Sequence, residues 1–378
     1  MRGFRKAINA LMVIVNLVIG VCLVFTAYAG NVSPIEHPKM GVVVLSFPIW
    51  LAAIAFLLIL DLVWWRKTSL IAICSIMAAW PLVWDTCPLN IGGGIPSGTP
   101  PERIFTVMTY NVQRLLDFQK QYPDSINPTV TYILREDPDI VCLQELSELA
   151  PNKRMCLTQS QIDSLHARYP YIILSGKEIV TMSKFPLESI HLDMQSRQRE
   201  NFCDIGAYVV NIEGHRLALF SLHMQSYRFT KKDKSDYLEL TRMQSEEDLK
   251  EVRHTLMQKL EQAAVHRADQ AEMLGRYIDF YGGENVLVCG DFNDVPGCYT
   301  LHCLADHGMK EVWSEAAFGP TYTYFDNRFY FRIDHMLWRG RFQPAGIRRG
   351  KSRTSDHAPL IATFVWDEDA DTPERKKK

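Results

Sequence analysis

Several function classes are excluded by what the sequence lacks. No Cys-x-x-Cys pair and no Cys/His zinc spacing occurs among its nine cysteines, which argues against a structural zinc module. No excess of positive charge is present: 41 Lys and Arg stand against 43 Asp and Glu, a net charge of −2. The whole-chain field therefore holds no general attraction for nucleic acid, and any anion site must come from local placement. No internal repeat is visible. With 21 Gly and 19 Pro in 378 residues and 47% hydrophobic side chains, the composition is neither collagen-like nor broadly disordered. The length itself implies two or three structural units. Long apolar runs are missing after about residue 90, because nearly all of them precede it.

What precedes residue 90 reads as a membrane anchor. From Ala7 to Ile35 no side chain is charged, and the apolar stretch 7–29 is long enough to cross a hydrocarbon layer of roughly 30 Å. A second run, 41–64, continues through Asp61 to the Trp64–Trp65 pair and stops at Arg66 and Lys67, an arrangement suited to a membrane interface. The third, 68–84, is the shortest, with Trp80 and Trp84 near its end. Arg2, Arg5 and Lys6 precede the first run and Arg66 and Lys67 separate the second from the third, whereas the intervening loop carries only Lys39. Positive charge held inside puts the N-terminus in the cytoplasm. Three spans, in a domain covering residues 1–86, would then leave everything beyond them extracytoplasmic. Ala27-Tyr28-Ala29 resembles a signal-peptide cleavage site, but the apolar stretch before it exceeds the usual h-region. Seven cysteines, the nine less Cys22 and Cys74, fall where disulfides can form. Cys156 with Cys203 and Cys298 with Cys303 are candidate pairs, while Cys142 and Cys289 lie in apolar strand-like runs and read as buried thiols.

Residues 87–103 are rich in Gly and Pro and read as a linker. Beyond it come short strand-like runs: 104–110, 140–143, 171–174, 205–212, 216–222, 286–289, 331–338 and 360–365. Residues 128–136 and 160–168 read as helices. The stretch 237–281 carries apolar residues every three or four positions, including Leu256, Leu260, Ala264, Ala268 and Ala271, the pattern of a long helix packing one face, with a break expected near Ser245. The tail 367–378 is charged and apolar-poor, and reads as disordered.

Chemistry gathers where strands end. Val107-Met108-Thr109-Tyr110 runs into Asn111, Ile140-Val141-Cys142-Leu143 into Gln144-Glu145, the strand through Ser221-Leu222 into His223, and Val286-Leu287-Val288-Cys289 into Gly290-Asp291-Phe292-Asn293-Asp294. Arg332-Ile333-Asp334-His335 and Ser355-Asp356-His357 complete the set. Taken singly, each acid reads more readily as a helix cap or turn residue, and each histidine as one satisfied by a nearby backbone group. Together they meet the needs of phosphate-ester hydrolysis. Glu145, Asp291, Asp356 and the amides of Asn111 and Asn293 are hard oxygen donors suited to Mg²⁺ or Mn²⁺. His223 and His357 can stabilise charge on phosphoryl oxygens, and Asp334 is the carboxylate available to fix the tautomer of His357.

These six motifs, in this order over residues 104–366, resemble the endonuclease/exonuclease/phosphatase superfamily, which includes pancreatic deoxyribonuclease, neutral sphingomyelinases and abasic-site nucleases. The resemblance implies a four-layered α/β sandwich of two packed mixed β-sheets flanked by helices, here preceded by about three transmembrane helices. It implies Glu145 as the principal metal ligand, helped by Asn111 and Asp356. Asp291 would activate the attacking water, Asn293 would hold the phosphate or a second metal, His357 oriented by Asp334 would contact the scissile phosphate, and His223 would assist the leaving oxygen. Tyr330-Phe331-Arg332-Ile333-Asp334-His335 departs from the Trp-x-Asp-Arg-Ile-Leu run of inositol polyphosphate phosphatases, and Gln113-Arg114 from the Asn-Gly of abasic-site nucleases. Ser221-Leu222-His223 is closer to the secreted nuclease and sphingomyelinase branches. The expectation is a membrane-tethered phosphodiesterase acting on extracytoplasmic nucleic acid or phospholipid head groups, with the bilayer but no protein as partner. A phosphomonoesterase and an inactive phospho-ligand-binding protein are the alternatives. Arg339, Arg341, Arg348, Arg349, Lys351 and Arg353 read either as a collar gathering an anionic substrate or as a solvated loop. The aromatic run Tyr322 to Phe331 reads as strand-core packing, with stacking on substrate as the alternative.

Overall fold

A computed structural model describes residues 2–64, 67–116, 126–151, 157–192, 203–227, 229, 235, 246–326 and 329–367. Cys156 and the tail 368–378 lie outside the described residues, as do Trp65, Arg66 and 236–245, where the helix break was expected.

The chain forms two compact units. The first comprises Met1–Cys87 together with Ser226–Ala271 and Val295–Cys303. Two of its helical stretches, Lys6–Asn31 and Met40–Trp64, are long and apolar enough to cross a membrane. The third expected span is instead a bent pair, Ser69–Ala78 and Trp80–Thr86, with 76° between them. Pro81 sits in the first turn of the second piece, and its ring cannot be accommodated by a helix continuing from the preceding turn. Three spans therefore become two, or three only where the bent pair counts as one. Residues 246–271 of the helix Glu246–Tyr281 and the 295–303 segment, which the linear reading placed in the catalytic domain, contribute to this unit, where small residues let backbones approach. A Cβ on Gly41 would lie 2.6 Å from Ala264, and one on Gly30 would lie 1.8 Å from the Gly297 carbonyl oxygen.

The second unit comprises Pro88–Gln225, Glu272–Asp294 and Leu304–Lys378. It is an α/β sandwich of two six-stranded mixed sheets. One sheet contains β1 (Ile104–Asn111), β2 (Ile140–Gln144), β3 (Tyr171–Ser175), β4 (Ile179–Ser183), β11 (Phe342–Arg349) and β12 (Leu360–Trp366), ordered β11-β12-β1-β2-β4-β3. The other contains β5 (Leu187–Ser189), β6 (Asp204–Ile212), β7 (His215–His223), β8 (Val286–Asp291), β9 (Lys310–Glu311) and β10 (Asp334–Arg339), ordered β5-β6-β7-β8-β10-β9. Between the sheets lies a core of alternate side chains, among them Phe105, Val107, Tyr208, Leu219, Leu287 and Trp366. A second cluster on the outer face of β1 and β2 packs helices Pro128–Glu136 and Gln159–Arg168 through Val130, Ile133, Ile162 and Leu165.

Capping explains why the first of these helices begins where it does. The Asn127 carbonyl oxygen of the side chain accepts from the backbone N–H groups of Thr129 and Val130, and Pro128 supplies a preset φ at the first position. Asn127→Ala should cost about 1 kcal/mol, read as a lowered denaturant midpoint with turnover unchanged.

Register brings the chemistry together. β7 and β8 run parallel with His223 beside Asp291, and β10 runs antiparallel to β8 with Asp334 beside Asp291. In the other sheet parallel pairing sets Asn111 beside Gln144, so Glu145 follows immediately at the strand end. Gly290 has φ 150°, and a Cβ there would lie 1.9 Å from the Leu222 carbonyl oxygen. Only glycine permits β7 and β8 to stay paired up to Asp291. Cys142, Cys203, Cys289, Cys298 and Cys303 are all buried thiols rather than disulfides.

Candidate active site

Asn111 is the hub of the site. Its side-chain N–H donates to Glu145 Oε1 at 3.0 Å and to Asp291 Oδ2 at 2.9 Å, and its Oδ1 accepts from the Gln113 N–H at 3.1 Å. In this arrangement the amide orients two carboxylates, one from each sheet, and its oxygen faces backbone; ligation of a metal by that oxygen would require the amide to turn over. Asp291 is 1% exposed. The Asn293 backbone N–H donates to its Oδ1 at 2.8 Å, and the Asn293 side chain donates to the Met224 carbonyl at 3.1 Å. Asn293 and Glu145 both hold positive φ, 51° and 57°, a conformation that costs non-glycine residues on the order of 1–3 kcal/mol and is kept where surroundings enforce it.

Two imidazoles flank Asp291 Oδ2: His223 Nε2 at 3.7 Å and His357 Nε2 at 3.6 Å. The other nitrogen of His357, Nδ1, bonds Asp334 Oδ2 at 2.8 Å. Asp334 is fixed in turn by Thr323, whose hydroxyl oxygen accepts from the N–H groups of Ile333 and Asp334. Burial works hardest against the charged form of His357, yet Asp334, Asp291 and the more distant Asp356 outweigh it and lift its pKa from 6.5 to about 10. His357 is thus an imidazolium bracketed by carboxylates.

Asp291, Asp334 and His357 present ligating atoms within 4.8 Å of one another. One observation favours a cation nearby: Asp334 Oδ1 is buried with no hydrogen-bond partner among the described residues, a costly arrangement unless a positive group answers it. The expected ligands Glu145 and Asp356 are both half-buried and lie outside that trio. Asp356 Oδ1 lies 3.3 Å from the Ser355 hydroxyl oxygen.

Ser355 carries more of the geometry than its place in the Ser-Asp-His motif suggested. Its hydroxyl donates to the Asn111 carbonyl at 2.8 Å and accepts from the His357 N–H at 3.2 Å, holding the β1 end against the histidine loop. Ser355→Ala leaves both buried backbone groups without that partner. A stability loss of about 1–3 kcal/mol and a roughly tenfold fall in turnover, by loss of positioning, are expected from denaturant unfolding and steady-state kinetics.

A buried charged cluster underlies the Asp291 loop and went unread in the sequence. Glu311 Oε2 lies 2.7 Å from His335 Nδ1 and its Oε1 lies 3.1 Å from Arg332. His335 Nε2 lies 3.0 Å from the Asp294 carbonyl, and Phe292 meets the imidazole edge-on. Burial alone would raise the Glu311 pKa, but His335 and Arg332 hold it below the usual carboxylate value. Glu311 had no strand-end motif to mark it.

The basic stretch before Ser355 is mostly committed elsewhere. Arg339 bonds the His307 carbonyl, Arg341 bonds Glu284 at 2.6 Å, and Arg348 pairs with Glu136 at 2.5 Å. Arg348 and Arg349 lie in the edge strand β11 and Arg339 ends β10, whereas Lys351 and Arg353 are exposed in the loop that follows. Arg349 lies 4.3 Å over the Tyr322 ring. The neighbouring aromatic run is not strand core either: Tyr330 is 61% exposed, Tyr322, Phe325 and Tyr330 pack edge-on, and Tyr324 meets the ring of His357 at 5.1 Å.

No curated protein sequence matches the chain. Among solved structures it is similar to an endonuclease/exonuclease/phosphatase from Beutenbergia cavernae (17% identity, 70% of this chain and 72% of that one, TM-score 0.47). It is also similar to one from Bacteroides vulgatus (14%, 70% and 99%, 0.45) and to D. rerio TDP2 complexed with a single-strand DNA product (16%, 69% and 98%, 0.43). Residues 9–86 match a family described as a domain of unknown function (DUF8431). Residues 108–357 match the model of the endonuclease/exonuclease/phosphatase family. They contain every motif from Asn111 to His357, and the chain belongs to that family.

Proposed function

We propose that the protein is a membrane-tethered, divalent-metal-dependent phosphodiesterase that hydrolyses extracytoplasmic nucleic acid or phospholipid head groups by in-line attack of water. The observation that carries this reading is the array of hydrogen bonds and one charge contact, His357 to Asp291 at 3.6 Å, joining Glu145, Asn111, Asp291, His357 and Asp334 across the two sheets. Glu145 and Asp356, with Asn111 once its amide is turned, would hold Mg²⁺ or Mn²⁺, which would neutralise charge on the scissile phosphate when bound. Asp291, held by the Asn293 N–H group, takes the proton of the attacking water. His357 donates through Nε2 to a phosphoryl oxygen, its ring fixed by Asp334. His223 stands on the other flank of Asp291 and assists the leaving oxygen, while Asn293 steadies the phosphate.

Two long apolar helices support the tether, and the charge distribution around them supports the extracytoplasmic placement when the bent pair Ser69–Ala78 and Trp80–Thr86 crosses as the third span. The test is the full chain in nanodiscs, with Mg²⁺ or Mn²⁺, offered a generic phosphodiester, a phosphomonoester, DNA and sphingomyelin. Metal-dependent cleavage with a diester preferred is expected. Preference for the monoester would reassign the substrate class, and no turnover with intact metal binding would leave a ligand-binding protein.

A further inference from the structure

Two residues beyond Thr86, where the bent helix pair of the N-terminal region ends, the chain is already part of the catalytic unit. The Gly319 N–H donates to the Pro88 carbonyl at 2.6 Å, the Asn90 N–H to the Ala317 carbonyl at 3.3 Å, and the Asn90 side chain to the carbonyls of Ser314 and Ala317 at 3.0 and 2.9 Å. Leu89 and Phe318 face each other as an antiparallel bridge. The start of the expected linker is therefore pinned.

Pinning fixes which way side chains point. Asn90 turns inward to its carbonyl partners, so its extended neighbours Leu89 and Ile91 turn outward, and Phe318, opposite Leu89, lies on their side. All three are exposed, Leu89 by 50%, Ile91 by 88% and Phe318 by 66%, and Ile95 follows at 48%. A cluster of Leu, Ile and Phe in water is unfavourable and marks a surface that something covers.

We propose that this patch is seated in the outer interfacial layer of the bilayer, so that the catalytic unit touches the membrane. This rests on the reading of the N-terminal helices as membrane spans, with the bent pair Ser69–Ala78 and Trp80–Thr86 as the third. Chain length identifies the occupant. At most about 3.6 Å per residue separates Leu89 from Thr86, a reach of roughly 10 Å, and Trp80 and Trp84 mark that helix end as interfacial. The headgroup layer has a thickness of several ångströms on each face, so Leu89 cannot leave its neighbourhood. Its apolar partners Ile91 and Phe318 are fixed to it by the hydrogen bonds above.

The test uses the full chain in nanodiscs with Cys22, Cys74, Cys87 and Cys156 replaced by Ser; the other five cysteines are buried. A fluorophore on Ile91→Cys or Phe318→Cys is read for quenching by nitroxide-bearing lipids. Leu17→Cys, in the first long helix, reports the tether, and Glu188→Cys, exposed on β5, reports water. The expected result is quenching at 91 and 318 comparable to that at 17, none at 188, and its loss at 318 when Leu89 and Ile91 are both Asp. Quenching at 17 but not at 91 or 318 overturns the proposal and leaves the tether standing. A blue-shifted, concentration-dependent signal at 318 without lipid quenching overturns it in favour of a second copy. Absence of quenching at 17 overturns the tether reading and this inference with it.

Discussion

Asp291→Asn is expected to lower the turnover of metal-dependent phosphodiester hydrolysis by about 10²–10⁴, the range associated with loss of a positioned general base. The substitution keeps the shape of the side chain and removes its charge and one hydrogen-bond acceptor. Asp291 is 1% exposed and its Oδ1 accepts from the Asn293 N–H, a bond that the asparagine oxygen can keep. Its Oδ2 accepts from Asn111 Nδ2, and an amide nitrogen placed there would confront another N–H group. The fold should persist, because Asp334 continues to pair with His357 and the Asn293 bond is kept. Steady-state kinetics and a denaturation curve on the same preparation separate the two effects. A variant retaining more than a tenth of wild-type turnover would remove Asp291 from the proton-transfer role.

The sequence made the site legible because the strands deliver it. A buried strand needs no acid at its end for packing, so Asn111, Glu145, His223 and Asp291 stood out against their apolar runs, and the register brings His223, Asp291 and Asp334 side by side. The edges were not legible. β11 contains Pro344 and a bulge between Pro344 and Gly346, features tolerated on an edge strand and misleading as a strand signal. β4 was missed as a short run, Ile179–Ser183, buried along its whole length. Nor did charge spacing reveal partners distant in sequence: Arg348 meets Glu136, and Glu311 meets Arg332 and His335, only after folding. The third apolar run had the right composition for a span, but hydropathy averages over Pro81, whose ring decides the bend.

His357 should make the stability of the metal-free protein fall as pH rises, opposite to the acid loss that paired carboxylates usually produce. Its folded pKa, about 10, stands above the ordinary 6.5. Burial opposes that rise, and the attraction of Asp334, Asp291 and Asp356 together with the Asp334 hydrogen bond overcomes it. A group whose pKa is raised on folding contributes fully below its unfolded pKa and loses that contribution as pH climbs through the folded one. The window therefore opens near pH 6.5 and closes near pH 10, and at about 1.4 kcal/mol per pKa unit the loss is on the order of 5 kcal/mol. Denaturant unfolding of the chelator-treated full chain in detergent, at intervals from pH 6 to 10, measures it. His357→Gln removes the titrating group, and its profile should be flat by comparison over the same window. A cation bound among the same carboxylates would compete with the imidazolium for their field. Added Mn²⁺ should accordingly shift the wild-type decline to lower pH. An identical decline in His357→Gln would assign the effect to another group and dissolve the imidazolium bracket between Asp334 and Asp291.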